Sequence, residues 1–304
     1  MAMDADLARG RSLALLSVVV SATLACLNLA VGIRAGSASV VAIGVEFAGD
    51  VLASSVVLLG LVVAARPPDA NHPYGHGRIE TVAGLLVGFI LVSGGLGLIL
   101  RAAFSLGSGG VTTSWAAVAV LLVAIATRGV MALRKFRVAA DIGSSALRSD
   151  AWNDSVDILS GLVALAAVGL TRLAPERLAD ADHYGAAIVG VIVVITGFRV
   201  VQNATLDLAD TMPDPAMTRE LRRVALSVPG VQDVEKQHAR KTGLRYHVDL
   251  HIEVAPDMTV RQSHRIAHDV QDAILSALPW VAAVLVHVEP TPESGPDTHV
   301  PGGV

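Results

Sequence analysis

Residues 44–50 read GVEFAGD, set between SASVVAI (37–43) and VLASSVVLLGLVVAA (51–65). Glu46 and Asp50 thus interrupt a stretch otherwise fit for lipid. On a helix, side chains four residues apart stack on one face, one turn from each other. Two carboxylates so placed in a low dielectric repel, and one takes up a proton unless a cation sits between them. The pair is therefore a candidate metal or proton site, inside what reads as a membrane-spanning helix.

The rest of the chain supports that setting. Of 304 residues, 53% are hydrophobic and only 16% charged, against about a quarter charged in ordinary soluble domains; the mean hydropathy is +0.58. Six stretches have about the length a bilayer requires: 13–33, 39–65, 81–100, 115–133, 151–170 and 184–201. The first is long enough to be a retained helix rather than a signal peptide. With 4% aromatics, the lipid-facing surface must be mostly Val, Leu, Ala and Ile. A net charge of −4 leaves no basic footprint for nucleic acid. The single cysteine, Cys26, can form no internal disulfide and reads as a small buried hydrophobe.

Charges in the short connections set the orientation. Arg9, Arg11, Arg66, Arg78, Arg134, Lys135, Arg137 and Arg148 lie at the N-terminus and even-numbered loops, against Arg34, Arg101, Arg172 and Arg177 on the other side. Eight against four places both termini in the cytoplasm. After residue 201 the character changes, and MPDP (212–215) offers a break and a helix start, with Asp214 as N-cap and Pro215 in the first turn. The expected order beyond it is helix, strand, strand, helix, strand. In LRYHVDLHIEV (244–254), Leu244, Tyr246, Val248, Leu250, Ile252 and Val254 alternate with polar residues, the pattern of a half-buried strand. A helix over 259–278 and the strand VAAVLVHVEP (281–290) complete a three-stranded sheet covered by two helices. The division expected is a six-helix transmembrane domain over 1–208, a cytoplasmic α+β domain over 209–291 and a disordered tail over 292–304.

The fifth stretch opens DAWNDSVDILSG (150–161) and repeats the spacing of the second: Asn153 and Asp157 are four apart, with Asp150 and Asp154 beside them. Each buried acid costs about 2.5–3.5 kcal/mol at mid-span. If the two helices face each other, Glu46, Asp50, Asn153 and Asp157 supply four oxygen ligands for one divalent ion. Asp150 and Asp154, near the helix end, either join this cluster or simply cap and reach out to water. In the loop RPPDANHPYGHGRIE (66–80), Asp69, His72 and His76 have spacing suited to Zn²⁺ or a similar ion, or are solvated turn residues. In the tail, His251, His287 and Glu289 lie on polar strand faces, and His264 and His268 are one turn apart; these are metal ligands or ordinary surface residues.

Together HPYGHGRIE (72–80), the acid pair of the second span, DAWNDSVDILSG and a tail with VDLHIEV and VLVHVEP resemble the cation diffusion facilitator family over nearly the whole chain. The resemblance implies a homodimeric secondary transporter in the cell (inner) membrane, with six transmembrane helices and a ferredoxin-like, metallochaperone-like domain. It implies export of divalent metal in exchange for protons rather than enzymatic catalysis. It implies a transport site at Glu46, Asp50, Asn153 and Asp157, a loop site at Asp69, His72 and His76, and sites between protomers' tails at His251, His264, His287 and Glu289. Metal is then both substrate and regulatory ligand, with no prosthetic group. Two features depart from the family pattern. The transport site has no histidine, which shifts the expected ion toward Mn²⁺ or Fe²⁺ without excluding Zn²⁺ or Co²⁺. Glu235 stands where the tail's first histidine belongs, with His238 nearby as a substitute. The alternative is a membrane-anchored metal sensor or scaffold, which has no need of carboxylates at mid-membrane depth.

Overall fold

A computed structural model describes residues 2–64, 69–107, 114–142, 145–175, 177–243 and 245–292. Arg66, Leu244 and, of the expected disordered tail 292–304, residues 293–304 lie outside the described residues. Among the described residues, six helices are long and apolar enough to cross a membrane. They are α1 (Ala2–Ala35), α2 (Ala38–Ala64), α3 (Arg78–Ser105), α4 (Trp115–Ile142), α5 (Ser145–Leu173) and α6 (Ala181–Leu208). The chain divides into two compact units, residues 1–59 with 82–203, and residues 60–81 with 204–304.

In the first unit, Val40, Ile43, Phe47, Leu121, Ala164, Val168, Val189 and Val193 form a shared core. Large apolar side chains such as Val19, Leu86 and Leu159 point outward, as expected where the surrounding solvent is hydrocarbon. Cys26 also faces outward. The expectation that it is buried fails because its apolarity is equally suited to a lipid-facing position. The link between α1 and α2 turns at Gly36, φ 64°, and Asp182 then caps α2 across the unit. Its carboxylate accepts from the Ala38 amide at 2.6 Å and the Ser37 hydroxyl at 2.9 Å, so amides that have no partner within the helix are satisfied.

The helices outrun the apolar stretches that announce them. The fourth continues through Arg134, Lys135 and Arg137 to Ile142. Lys135, expected in a loop, is instead fully buried, because Asp150 and Asp154 on α5 meet its ammonium at 2.8 and 2.6 Å.

The second unit contains α7 (Pro215–Leu226), β1 (Asp233–Thr242), β2 (Arg245–Val254), α8 (Val260–Ala277) and β3 (Val281–Pro290). The sheet order is β1-β2-β3, with β1 and β2 antiparallel and β2 and β3 parallel. A parallel pair needs a crossover, and α8 provides it, giving a ferredoxin-like α+β arrangement. Leu221, Val224, Leu250, Ile252, Val270 and Ile274 form its core. The Asp214 side chain accepts from the Ala216 amide at 2.7 Å, and Thr259 and Gln262 form a reciprocal capping box at the start of α8.

Segment 69–81 packs on the β1–β2 hairpin within this unit. A Cβ on Gly77 would lie 2.7 Å from the Thr242 carbonyl, so only glycine permits this approach. Tyr74 sits edge-on to His247, with ring centroids 5.8 Å apart, and the Arg240 guanidinium lies 5.2 Å from the Tyr74 ring centre. Burial, together with the Arg240 charge, holds the His247 imidazole below its ordinary pKa.

Asp214→Ala is expected to destabilise the start of α7 by about 1 kcal/mol. Hydrogen exchange of residues 215–226 in the full chain checks this: their amides should exchange several-fold faster, while those of α8 are unchanged.

Candidate metal sites

The second and fifth helices do face each other. The Ser160 hydroxyl donates to Glu46 Oε1 at 2.8 Å, and Asn153 Nδ2 donates to Asp50 Oδ1 at 3.4 Å. Glu46, Asp50, Asn153 and Asp157 line one cavity of ≈ 20 Å³ with Leu91, Val156, Val193 and Thr196. That is room for about one water-sized body. Glu46 Oε2 is buried and has no hydrogen-bond partner among the described residues, leaving it available to a ligand.

Two cations on α4 offset part of the remaining acid charge. Arg128, only 2% exposed, reaches three carboxylates: Nη2 lies 2.6 Å from Asp50 Oδ2, Nη1 2.7 Å from Asp154 Oδ1, and Nε 3.2 Å from Asp157 Oδ2. Its guanidinium also lies 4.5 Å from the centre of the Phe47 ring. One helix turn pair further on, Lys135 joins Asp154 and Asp150. Asp154 is therefore a buried partner of both α4 cations, while Asp150 pairs with Lys135 and still reaches water. Glu46, Asp50 and Asp157 do not bring three ligand atoms within 4.8 Å of one another; the groups that do, among the described residues, lie elsewhere.

The first such group is Asp69, His72 and His76. His72 Nδ1 is 3.1 Å from Asp69 Oδ1, and His76 Nε2 is 3.3 Å from Asp69 Oδ2. Amides of His72 and Asn71 donate to the same carboxylate, at 2.7 and 2.9 Å, closing the turn. The His72 amide, above all, holds the Asp69 carboxyl below its ordinary pKa. That contribution to the turn is present above the ordinary carboxylate range and is lost as pH falls through the lowered value.

The second group is His251, His287 and Glu289. Parallel pairing sets His251 opposite His287, and Glu289 Oε1 lies 2.7 Å from His251 Nδ1 and 3.4 Å from His287 Nε2. A bulge between Val234 and Lys236 frees Glu235 from the ladder. Glu235, followed by the His251 imidazole, holds the Glu289 carboxyl below its ordinary pKa. His238, opposite Asp249 on β1, lies outside this group; the bulge re-aims Glu235 instead. His264 is also apart from it, paired on α8 with His268 at 4.6 Å between ring centroids.

Arg128, Ser160 and the bulged Glu235 were not among the expected site residues. Arg128 had a signal: it is a lone arginine in an apolar stretch, seven residues before Lys135 and so on the same helix face.

Residues 14–209 match the family model described as the cation efflux transmembrane domain, and residues 213–291 that of the cation efflux protein cytoplasmic domain. The manganese efflux system protein MneP of Bacillus subtilis is 26% identical, over 92% of this chain and 96% of its own length. The uncharacterised transporter YdbO of the same organism is 31% identical, over 94% and 97%. A solved structure named MamM-CTD 215-293 is 32% identical over 25% of this chain and 96% of its own, with a TM-score of 0.25.

Lys135→Ala leaves Asp154 short of a buried partner and should destabilise the chain by about 3–5 kcal/mol. Asp150→Ala should cost less, since Asp150 is 42% exposed. Thermal unfolding of both variants in detergent micelles gives the order.

Proposed function

Because the chain belongs to the cation efflux, or cation diffusion facilitator, family of metal transporters, we propose that it exports divalent metal from the cytoplasm in exchange for protons. The observation that supports this most is the cavity lined by Glu46, Asp50, Asn153 and Asp157 inside apolar helices. A chain that only anchored a sensor would have no use for acids there.

Metal and protons compete for the same carboxylate oxygens. In the inward-facing state the three acids are deprotonated and bind the ion with help from the Asn153 carbonyl. Rocking of the helices then opens the cavity to the other side, where protons displace the metal and neutralise the acids for the return. Asn153 can ligate and orient, but it cannot carry a proton in this range. The proton exchange therefore rests on Glu46, Asp50 and Asp157.

An all-oxygen ligand set suits harder ions, whereas imidazole favours Zn²⁺. We assign Mn²⁺ or Fe²⁺ as the preferred cargo, with Zn²⁺ and Co²⁺ as lesser substrates. The manganese efflux name of the relative MneP points the same way. Both termini lie in the cytoplasm of a cell or inner membrane, and two copies of the chain pair. The loop group Asp69, His72 and His76 and the tail group His251, His287 and Glu289, to which Glu235 is added, are regulatory sites suited to borderline ions. His264 adds a ligand from the second protomer.

Flux of Mn²⁺, Fe²⁺, Co²⁺, Zn²⁺ and Cd²⁺ through the purified protein in liposomes, with an imposed pH gradient, tests the reading. Asp50→Ala and Asp157→Ala should each abolish metal-driven flux, and full activity in either sinks the assignment. Asn153→His should raise Zn²⁺ flux relative to Mn²⁺; an unchanged preference overturns the hardness argument.

A further inference from the structure

Arg128 is a buried charge that the exchange cycle leaves unused. It stands on α4, 2% exposed, and contacts two of the three cavity carboxylates, Asp50 at 2.6 Å and Asp157 at 3.2 Å. It is not itself among the residues that line the cavity. The carboxylates therefore stand between the cavity and the guanidinium: Asp50 turns Oδ1 to Asn153 and Oδ2 to Arg128. We propose that Arg128 is a fixed counter-cation that holds down the affinity of the intramembrane site for divalent metal, so that bound ions can leave.

The charge balance supports this. With all groups ionised, Glu46, Asp50, Asp157 and Arg128 sum to two negative charges, which one divalent cation cancels. Without the guanidinium, a third would remain, and the ion would be held harder in a medium where charges are weakly screened. A carboxylate hydrogen-bonded behind a metal ligand raises that ligand's basicity; a cation in the same place withdraws charge and does the reverse.

The surroundings keep Arg128 in that place. Asp154 accepts from Nη1 at 2.7 Å and does not line the cavity, so it anchors the guanidinium whatever the other two carboxylates bind. Lys135, at 2.6 Å from the other Asp154 oxygen, fixes this anchor in turn. The Phe47 ring, 1% exposed, covers the guanidinium at 4.5 Å.

This inference rests on the transport site proposed above, and the test separates the two. Mn²⁺ binding to the full chain is measured by calorimetry, and the component that Asp50→Ala removes is taken as the intramembrane site. If Asp50→Ala removes none, the site assignment itself fails. For that component, Arg128→Gln should lower the Kd at least tenfold and slow Mn²⁺ efflux from proteoliposomes several-fold. Phe47→Leu, which loosens the guanidinium without touching a ligand, should tighten binding by a smaller factor, and it decides alone if the Gln variant does not fold. A merely structural arginine predicts weaker binding. Unchanged or weaker binding in the folded variants overturns the proposal and leaves the transport site standing.

Discussion

A full charge inside an apolar helix bundle must meet its opposite there, since neither water nor lipid can solvate it. The contact between α4 and α5 is organised by that requirement. Lys135 takes Asp150 and Asp154, while Arg128 takes Asp154 and Asp157 and reaches across to Asp50 on α2. These pairs fix the register of α4 against α5 more sharply than apolar packing alone, because sliding either helix by one turn would strand several charges at once. They also leave acid unmatched on the α2 side, where Glu46 keeps a buried oxygen without a partner among the described residues. The excess acid beside the cavity is the property a divalent cargo requires.

The two units handle charge differently. In the first, Glu46, Asp50, Asn153 and Asp157 line a cavity among helices, and Arg128 pairs with Asp50 and Asp157. In the second, imidazoles and carboxylates come together in water-accessible positions by local means: an Asp-closed turn for Asp69, His72 and His76, and a strand pairing plus a bulge for His251, His287, Glu289 and Glu235. Oxygen donor sets favour harder ions, and imidazole-rich groups favour borderline ones.

Much of this was legible in the residues. Alternation in 244–254 located β2 and its buried face, and Asp214 with Pro215 located the start of α7, because capping and pleat are properties of a few consecutive residues. Six apolar stretches match six long apolar helices among the described residues, and equal spacing in GVEFAGD and NDSVD marked α2 and α5 as partners. Hydropathy failed where a charge was compensated from afar. Lys135 looked like a loop residue, because a window of sequence cannot see Asp154 on the neighbouring helix.

By itself, then, the sequence determined the membrane setting, the order of helices and strands, and which residues could ligate a metal, since each depends on composition or short-range period. Only the tertiary structure decided which charges meet. Arg128 finds Asp154 26 residues away and Asp50 78 residues away, and Ser160 finds Glu46 at a separation of 114. Those meetings depend on how helices pack and slide against one another, and no local periodicity encodes that.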